Sequence, residues 1–416
     1  MTACSQRTTT TFRYELCRAA TAGVLETAGS TWLITIAVKY FQAGALAKAA
    51  VAGSGSLGLL LSPLLVSLVS ALRWPVSLAA ARLLALGCVA FLGVASLPVL
   101  PVFVVGSLLG MATSAAIIPL LTQMYQDNYP ERVRGRLFSR TVMVRIACAA
   151  LFSKIAGDAL EGHLDRARWL LLVFGLALAV AAFCLWRCPT GPIPLDVHGG
   201  GRHPLRAMRF VRDDPLFRRT LICWMLMGFA NLMMLPLRVE YLANPAYHPA
   251  GLAVTVSTIA LLTGVIPNLA RLVLSPVWGY LFDHMNFFAL RMTLNLGFAL
   301  GILAFFLTDS LAGMVAGAIV FGISNAGGDV AWSLWVTKFA PAGRVADYMA
   351  VHTSLTGVRG VLAPVAAFYG VQQLPPSVLA ALSAGLIVVA TALLLPELRG
   401  GRRGQPAPAL VEEVSE

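Results

Sequence analysis

Long apolar runs separated by short polar stretches make up most of this sequence. A run of about 20 apolar residues is long enough to cross a bilayer as an α-helix. The sequence supports twelve such spans, at 17–38, 51–72, 76–97, 101–124, 137–157, 168–186, 219–242, 253–281, 287–307, 311–336, 346–370 and 375–395. The pattern predicts an all-α membrane protein with twelve transmembrane helices, six on each side of a polar connector.

The connector, residues 187–218, is the one long polar stretch inside the chain. It is rich in arginine, and its proline and glycine residues deny its first part any regular structure. It divides the chain into an N-terminal six-helix bundle (1–186) and a C-terminal six-helix bundle (219–396). A cytoplasmic tail (397–416) follows.

The composition and the placement of charge support a membrane protein. Hydrophobic residues account for 58% of the chain and charged residues for 12%, against about 25% charged residues in a soluble domain. Of the 31 Lys and Arg residues, 21 fall at the inner side if both termini are cytoplasmic. Four fall in outer loops (Lys39, Lys48, Arg166 and Arg168), and six lie within spans. This asymmetry predicts an inner-membrane protein with both termini in the cytoplasm. It also accounts for the net charge of +12 without a nucleic-acid partner.

The two halves of the sequence resemble each other. Ser62-Pro63 in the second span corresponds to Ser275-Pro276 in the eighth. A Gly-x-x-x-Gly pair on span 4 recurs on span 10 (Gly106 and Gly110; Gly313 and Gly317). Such spacing of small residues lets helices approach closely. We therefore expect two bundles related by a parallel pseudo-twofold repeat.

Twelve spans in two sets of six, a basic central loop and the sequence Gly279-Tyr-Leu-Phe-Asp283-His284 resemble the major facilitator superfamily of transporters. The resemblance implies that helices 1, 4, 7 and 10 line a central cavity. It also implies a conformational switch that includes Gly279, Asp283 and Arg344. In the first half, Val66 and Ser70 stand where the signature has Gly and Asp, so the corresponding switch is expected to be eroded there.

No motif for catalysis, cofactor binding or metal binding stands out. A Walker A motif and an HExxH motif are both absent from the sequence, and the seven cysteines are scattered. Gly53-Ser-Gly55-Ser-Leu-Gly58 matches GxGxxG, but no strand precedes it, so we interpret it as a helix-packing motif rather than a nucleotide site. The sequence therefore predicts neither an enzyme nor an ATP-driven pump.

Charged residues inside spans are costly and usually face a cavity or a partner. Glu26 and Arg145 each lie about eight residues into a span, roughly 12 Å deep at 1.5 Å per residue. In the resembling family helices 1 and 5 are neighbours, so the two side chains are expected to pair. The pair fits either a structural salt bridge or a substrate- or proton-binding carboxylate held by its counter-ion.

Other polar residues within spans complete the candidate substrate site. Asn325, Asp329 and Trp332 share one face of span 10, although Asp329 could instead pair with Arg271 on span 8. His352 and Arg359 share a face of span 11, where His352 could equally be a packing residue. Asn231 on span 7 is the last candidate.

These features favour a transporter for a small anionic or zwitterionic solute, working by alternating access as a monomer in the lipid bilayer. The surplus of arginine within spans is the basis for that solute class. Coupling to a proton or another ion remains open. Two other functions fit the same sequence: a non-transporting receptor or assembly factor, and a lipid flippase.

The charge asymmetry gives a topology prediction. Reporter fusions at residue 200 and after residue 400 should both report the cytoplasm, and a fusion near residue 247 should report the external side, because basic loops are retained inside. The twelve-span prediction is wrong if fusions at 200 and 247 report the same side.

Overall fold

The structure is a computed structural model that describes residues 3–193, 208–247, 254–338 and 345–399. Twelve long helices, α1–α12, follow one another along the chain. They are α1 (Ala3–Thr27, continued to Tyr40 through π-helical turns), α2 (Ala45–Ala71), α3 (Val76–Ser96), α4 (Leu100–Asn128), α5 (Glu131–Leu160), α6 (Ala167–Trp186), α7 (Pro215–Ala243), α8 (Val256–His284), α9 (Phe287–Phe306), α10 (Leu311–Leu334), α11 (Val345–Gly370) and α12 (Pro376–Ala392).

Within the described ranges, ten of these helices are long and apolar enough to cross a membrane. The chain is therefore an integral membrane protein, and the predicted all-α class is confirmed for this part of it. The two other helices, α5 with 30 residues and α11 with 26, are equally long but more polar. Each of the twelve predicted spans falls on one of the twelve helices.

Local sequence signals set several helix boundaries. α7 begins directly after Asp214, whose carboxylate accepts a hydrogen bond from the backbone N–H of Phe217 at 2.9 Å, and Pro215 occupies the first turn. Asn286 caps α9 and Ser310 caps α10 in the same way. A side-chain acceptor satisfies an otherwise unpaired N–H at a helix start. The polar residues between apolar runs thus separate the helices at defined points.

The helices of the first half pack on one another in an order that the second half repeats. In the first half α1 packs against α5 and α6, α6 against α3, α3 against α4, and α4 against α2. In the second half α7 packs against α11 and α12, α12 against α9, α9 against α10, and α10 against α8. Between the halves, α2 packs against α11 and α5 against α8. Adding six to each helix number converts the first packing order into the second.

Close helix contacts at glycine support this packing. A Cβ on Gly58 of α2 would overlap the backbone of Ala112 on α4, and one on Gly106 of α4 would overlap Val94 on α3. Gly317 of α10 lies against Phe305 of α9, which matches the α4 contact in the other half. Gly53 packs against the backbone of Gly360 on α11, where an added Cβ would lie 3.4 Å from the carbonyl oxygen. The glycines at 53 and 58 therefore serve helix packing, as predicted.

The bundle has two ends. The C-terminal ends of α2, α4, α6, α8 and α10 lie at the connector end, and those of α1, α3, α5, α7, α9 and α11 lie at the opposite end. At the connector end residues 187–193 lie on the first half: Ser77 Oγ donates to the backbone oxygen of Cys188 at 2.8 Å, and Asn128 Nδ2 donates to that of Pro189 at 2.8 Å. Residues 194–207 of the connector and 400–416 of the tail lie outside the described residues.

The GxGxxG segment offers a matched test of helix packing. Gly58→Ala should lower the apparent melting temperature, since the added methyl group overlaps the backbone of Ala112 and overpacking costs about 1–3 kcal/mol. Gly55→Ala should leave it unchanged or slightly higher, because nothing lies within 4 Å of that position among the described residues and alanine favours the helix. Thermal unfolding of the two purified variants measures both effects. An equal decrease in melting temperature for both variants would contradict the role of Gly58 in helix packing.

Candidate functional site

Four charged side chains from four helices meet midway along the bundle. We call Glu26 (α1), Arg145 (α5), Arg271 (α8) and Asp329 (α10) the central network. Arg271 donates from Nη1 to Glu26 Oε1, and from Nε to Asp329 Oδ2 at 2.6 Å. Arg145 Nε lies 3.2 Å from the other carboxylate oxygen of Glu26. Two carboxylates and two guanidinium groups make the network neutral in formal charge.

Arg271 is the centre of this network and its most buried member. Its side chain is 4% exposed, whereas those of Glu26, Arg145 and Asp329 are 28%, 35% and 38% exposed. An exposed fraction this large is unusual for charges in the middle of long membrane helices. The three outer members of the network therefore line an accessible space between the two halves.

From the sequence, one of the three ion pairs was an expectation and a second was an alternative. The expected pairing of Glu26 with Arg145 is confirmed, and so is the alternative pairing of Asp329 with Arg271. The contact that joins them, between Glu26 in the first half and Arg271 in the second, was not predicted. Both residues were visible as charges within spans, but sequence depth alone does not tell which helices of the two halves face each other.

The predicted stripe on α10 contacts two different neighbours. Asp329 reaches Arg271 on α8, whereas the ring of Trp332 lies 5.7 Å from that of His352 on α11. Asn325 is half-buried one turn before Asp329. Asp329 is thus the member of this stripe that belongs to the central network.

His352 and Arg359 lie instead in an aromatic cluster inside the second half. His352 is fully buried, with its ring centroid 5.3 Å from that of Trp224 and 5.1 Å from that of Trp335. Arg359 Nη1 donates to the backbone oxygen of Trp224. Their expected part in a substrate site is thus not supported by a contact with the central network among the described residues.

A small pocket, lined mainly by apolar residues and two serines, lies between the halves beside α1, α2, α7 and α11. Its lining is Gly29, Ser30, Ala52, Ser56, Leu232, Leu235, Pro236, Gly360 and Pro364. Asn231, the remaining candidate, precedes this lining on α7 and is half-buried. Its side-chain oxygen meets no hydrogen-bond donor among the described residues.

Two residues of the expected switch, Gly279 and Asp283, make no close contact with the described part of the chain at the connector end of α8. Asp283 is exposed at the connector end of α8, and nothing among the described residues lies within 4 Å of a Cβ built on Gly279. A close helix contact at Gly279 therefore does not form with the described part of the chain in this state. Arg344 lies outside the described residues.

The end opposite the connector is bonded across the two halves. Lys48 on α2 donates to Glu240 on α7 at 2.6 Å, and both side chains are buried. Ser257 on α8 donates from its backbone to Glu161 at 2.8 Å and from its hydroxyl to Asp158 at 3.1 Å. Lys48 had been counted as a loop residue, but it lies inside the first turn of α2.

The connector end lacks such contacts among the described residues. Its hydrogen bonds and ion pairs join helices of the same half, such as Thr8 to the backbone of Asn128, Tyr348 to Asp214, and Arg219 to Glu397. The described polar contacts between the halves therefore lie at the central network and toward the end opposite the connector.

Comparison with known proteins gives the fold. No family model matches the sequence, and no curated protein matches it. Solved structures do: a mutant of the nucleoside transporter NupG superposes with a TM-score of 0.76 at 12% identity, covering 93% of this chain and 99% of that one. The chain has the major facilitator fold.

Two other structures illustrate the breadth of this likeness. A D-xylose-proton symporter superposes with a TM-score of 0.67 at 16% identity, over 92% of this chain and 97% of that one. The human organic anion transporter MFSD10 gives 0.64 at 15% identity, over 95% and 100%. The fold thus accommodates transporters of a nucleoside, a sugar and an organic anion, so it does not select a substrate.

The central network predicts an unequal effect of its two arginines. Arg271→Met should lower the apparent melting temperature strongly, because it leaves two carboxylates without their buried cation, and breaking a buried pair costs about 3–5 kcal/mol. Arg145→Met should cost about 1 kcal/mol or less, since Arg145 is partly exposed and Glu26 keeps Arg271. Thermal unfolding checks the difference. Adding Asp329→Asn to Arg271→Met should restore part of the lost melting temperature. A small and equal decrease in melting temperature in both single variants would contradict the central role of Arg271.

Proposed function

We propose that this protein is a membrane transporter that moves a small polar solute by alternating access. The observation that carries the proposal is the central network, in which Arg271 joins a carboxylate of each half beside an accessible space. A neutral network of partly exposed charges between two packed halves can bind a polar solute. Binding there can change the ion pairs that join the two halves. The fold shared with nucleoside, sugar and organic anion transporters supports the same function.

The proposed architecture is twelve transmembrane helices in two six-helix bundles, 1–186 and 219–396, related by a parallel pseudo-twofold axis. The repeated packing order of α1–α6 and α7–α12 supports it. In this arrangement α5 and α11 also cross the membrane, with their more polar faces toward the interface between the bundles. Both termini and the connector lie in the cytoplasm, as the distribution of Lys and Arg favours.

On this topology the conformation is closed to the outside and accessible from the cytoplasm. The buried pair of Lys48 and Glu240 and the bonds of Ser257 to α5 close the external end. The connector end has no corresponding contact among the described residues. Outward opening would require these external contacts to break and α8 and α10 to close against the first half, where Asp283 and Arg344 would then act as the switch.

We further propose a zwitterionic solute. Arg145 offers a cation to a carboxylate, and Asp329 offers an anion to an ammonium group, both from partly exposed positions. Because Arg271 is already paired twice, the network has no surplus cation that would favour a purely anionic solute. Glu26, which has two arginine partners, is suited to couple solute binding to the contact between the halves.

The experiment is a ligand screen followed by counterflow. Purified protein is heated in the presence of amino acids, dipeptides, sugars, nucleosides and organic acids, since ligand binding raises apparent stability. Zwitterionic compounds should raise the melting temperature, and proteoliposomes loaded with such a compound should accumulate its labelled form. Arg145→Met and Asp329→Asn should abolish both effects. Arg82→Met removes an exposed arginine that stacks on Trp74 within the first half and should leave both unchanged.

The results separate the parts of the proposal. Stabilisation by organic acids alone, with counterflow, would overturn the zwitterionic assignment and retain the transporter. Binding without any counterflow would overturn the transporter and favour a receptor on the same fold.

A further inference from the structure

A second group of basic side chains lies inside the C-terminal half, away from the central network. We call Arg291 (α9), His352 and Arg359 (α11), together with Trp224 (α7), the basic-aromatic cluster. Arg291 and His352 are both 0% exposed. The guanidinium carbon of Arg291 lies 3.6 Å from the ring centroid of Trp224, and Arg359 donates to the backbone oxygen of the same residue.

The donors of this cluster lack good acceptors. All three side-chain nitrogens of Arg291 and both ring nitrogens of His352 are buried without a hydrogen-bonded partner among the described residues. The same holds for Nε of Arg359 and for the indole nitrogen of Trp224. The thiol of Cys223 lies beside Arg291, but sulfur is a weak acceptor. Buried polar groups are nearly always satisfied, so this concentration of unmet donors in one place calls for an acceptor.

The cluster also lacks a counter-charge. No carboxylate among the described residues forms an ion pair with Arg291 or Arg359. Arg291, Arg359 and His352 instead lie against the same residue, Trp224. Stacking on Trp224 offsets only part of the cost of burying Arg291. Arg359 is half-buried, and its hydrogen bond among the described residues goes to the backbone oxygen of Trp224.

We propose that the basic-aromatic cluster binds one small inorganic anion of the chloride class. Guanidinium and imidazole groups from α9 and α11 are gathered around Trp224 of α7, and the guanidinium and indole N–H groups can only donate. The complete burial of Arg291 and His352 restricts the occupant to a small ion. Bound there, it would join α7, α9 and α11 and stabilise the C-terminal half independently of the transported solute.

The first half provides a matched control. Arg82 on α3 stacks on Trp74 with its guanidinium carbon 4.1 Å from the ring centroid, and α3 corresponds to α9 in the packing order. Arg82, however, is exposed. An arginine–tryptophan stack that water can reach needs no bound anion, so its loss should not alter a response to chloride.

The test compares thermal unfolding of the full-length protein in sodium chloride and in sodium gluconate at equal ionic strength. The melting temperature of the wild type should rise with chloride and reach a plateau, as expected for ligand binding to the folded state. Arg359→Met should raise the half-maximal chloride concentration at least tenfold, and Arg291→Met should abolish the response. Arg82→Met should respond like the wild type.

A direct measurement does not depend on any variant. Crystals of the wild-type protein grown in bromide should give one anomalous difference peak beside Arg291. Identical melting temperatures in chloride and gluconate, with no bromide peak at the cluster, would overturn the proposal. A response to phosphate or to phosphatidylglycerol nanodiscs in place of chloride would overturn the assignment to chloride and identify a phosphate group as the occupant.

Discussion

The interaction on which this structure depends most is the double pairing of Arg271. A buried guanidinium in a membrane protein is tolerated when carboxylates surround it, and removing one partner of such a group is costly. Here the two partners belong to different halves of the chain, Glu26 to the first and Asp329 to the second. Any separation of the halves at this level must therefore replace one of these contacts. Arg145 can replace Arg271 as the cationic partner of Glu26, because its Nε already lies 3.2 Å from the carboxylate of Glu26.

This arrangement relates the central network to the contacts at the end opposite the connector. Lys48 and Glu240 are buried together there, and α5 and α8 are joined through Ser257. Under the proposed alternating access, opening that end would expose a buried ion pair to water, where each charge is readily solvated. The free-energy cost of opening that end is consequently moderate. New contacts formed when the connector end closes would offset it. Polar contacts suit such a reversible interface better than a continuous apolar core, whose exposure would be costly.

The sequence predicted the helices well and their neighbours only in part. Apolar runs of fixed length determine where helices cross, and small residues such as Gly58 and Gly317 indicate where two of them come close. Depth along a helix correctly suggested Glu26 with Arg145. The partner of Glu26 in the other half could not be predicted, because it depends on the rotation of α8 about its own axis and on the docking of the two halves.

Position near a helix end was the least reliable guide. Lys48 had been placed in an outer loop, yet the first turn of α2 buries it against Glu240. Arg291 had been counted among the basic residues of the inner side, yet it is buried five residues into α9 against Trp224. In both cases a long side chain near the end of a span extends into the protein rather than toward water. Sequence hydropathy does not distinguish these two directions, since both keep the backbone at the same depth.

The contacts of the intramembrane arginines bear directly on the class of solute proposed above. The surplus of arginine within the spans favours an anionic or zwitterionic substrate. In the structure, however, these arginines have different partners. Arg145 and Arg271 are balanced by Glu26 and Asp329, and Arg238 lies with its guanidinium carbon 3.5 Å from the ring centroid of Phe321. The remaining positive charge belongs to the basic-aromatic cluster inside the C-terminal half. A solute in the space beside the central network therefore meets both signs of charge in equal number, and that balance is the physical reason for preferring a zwitterion to an anion.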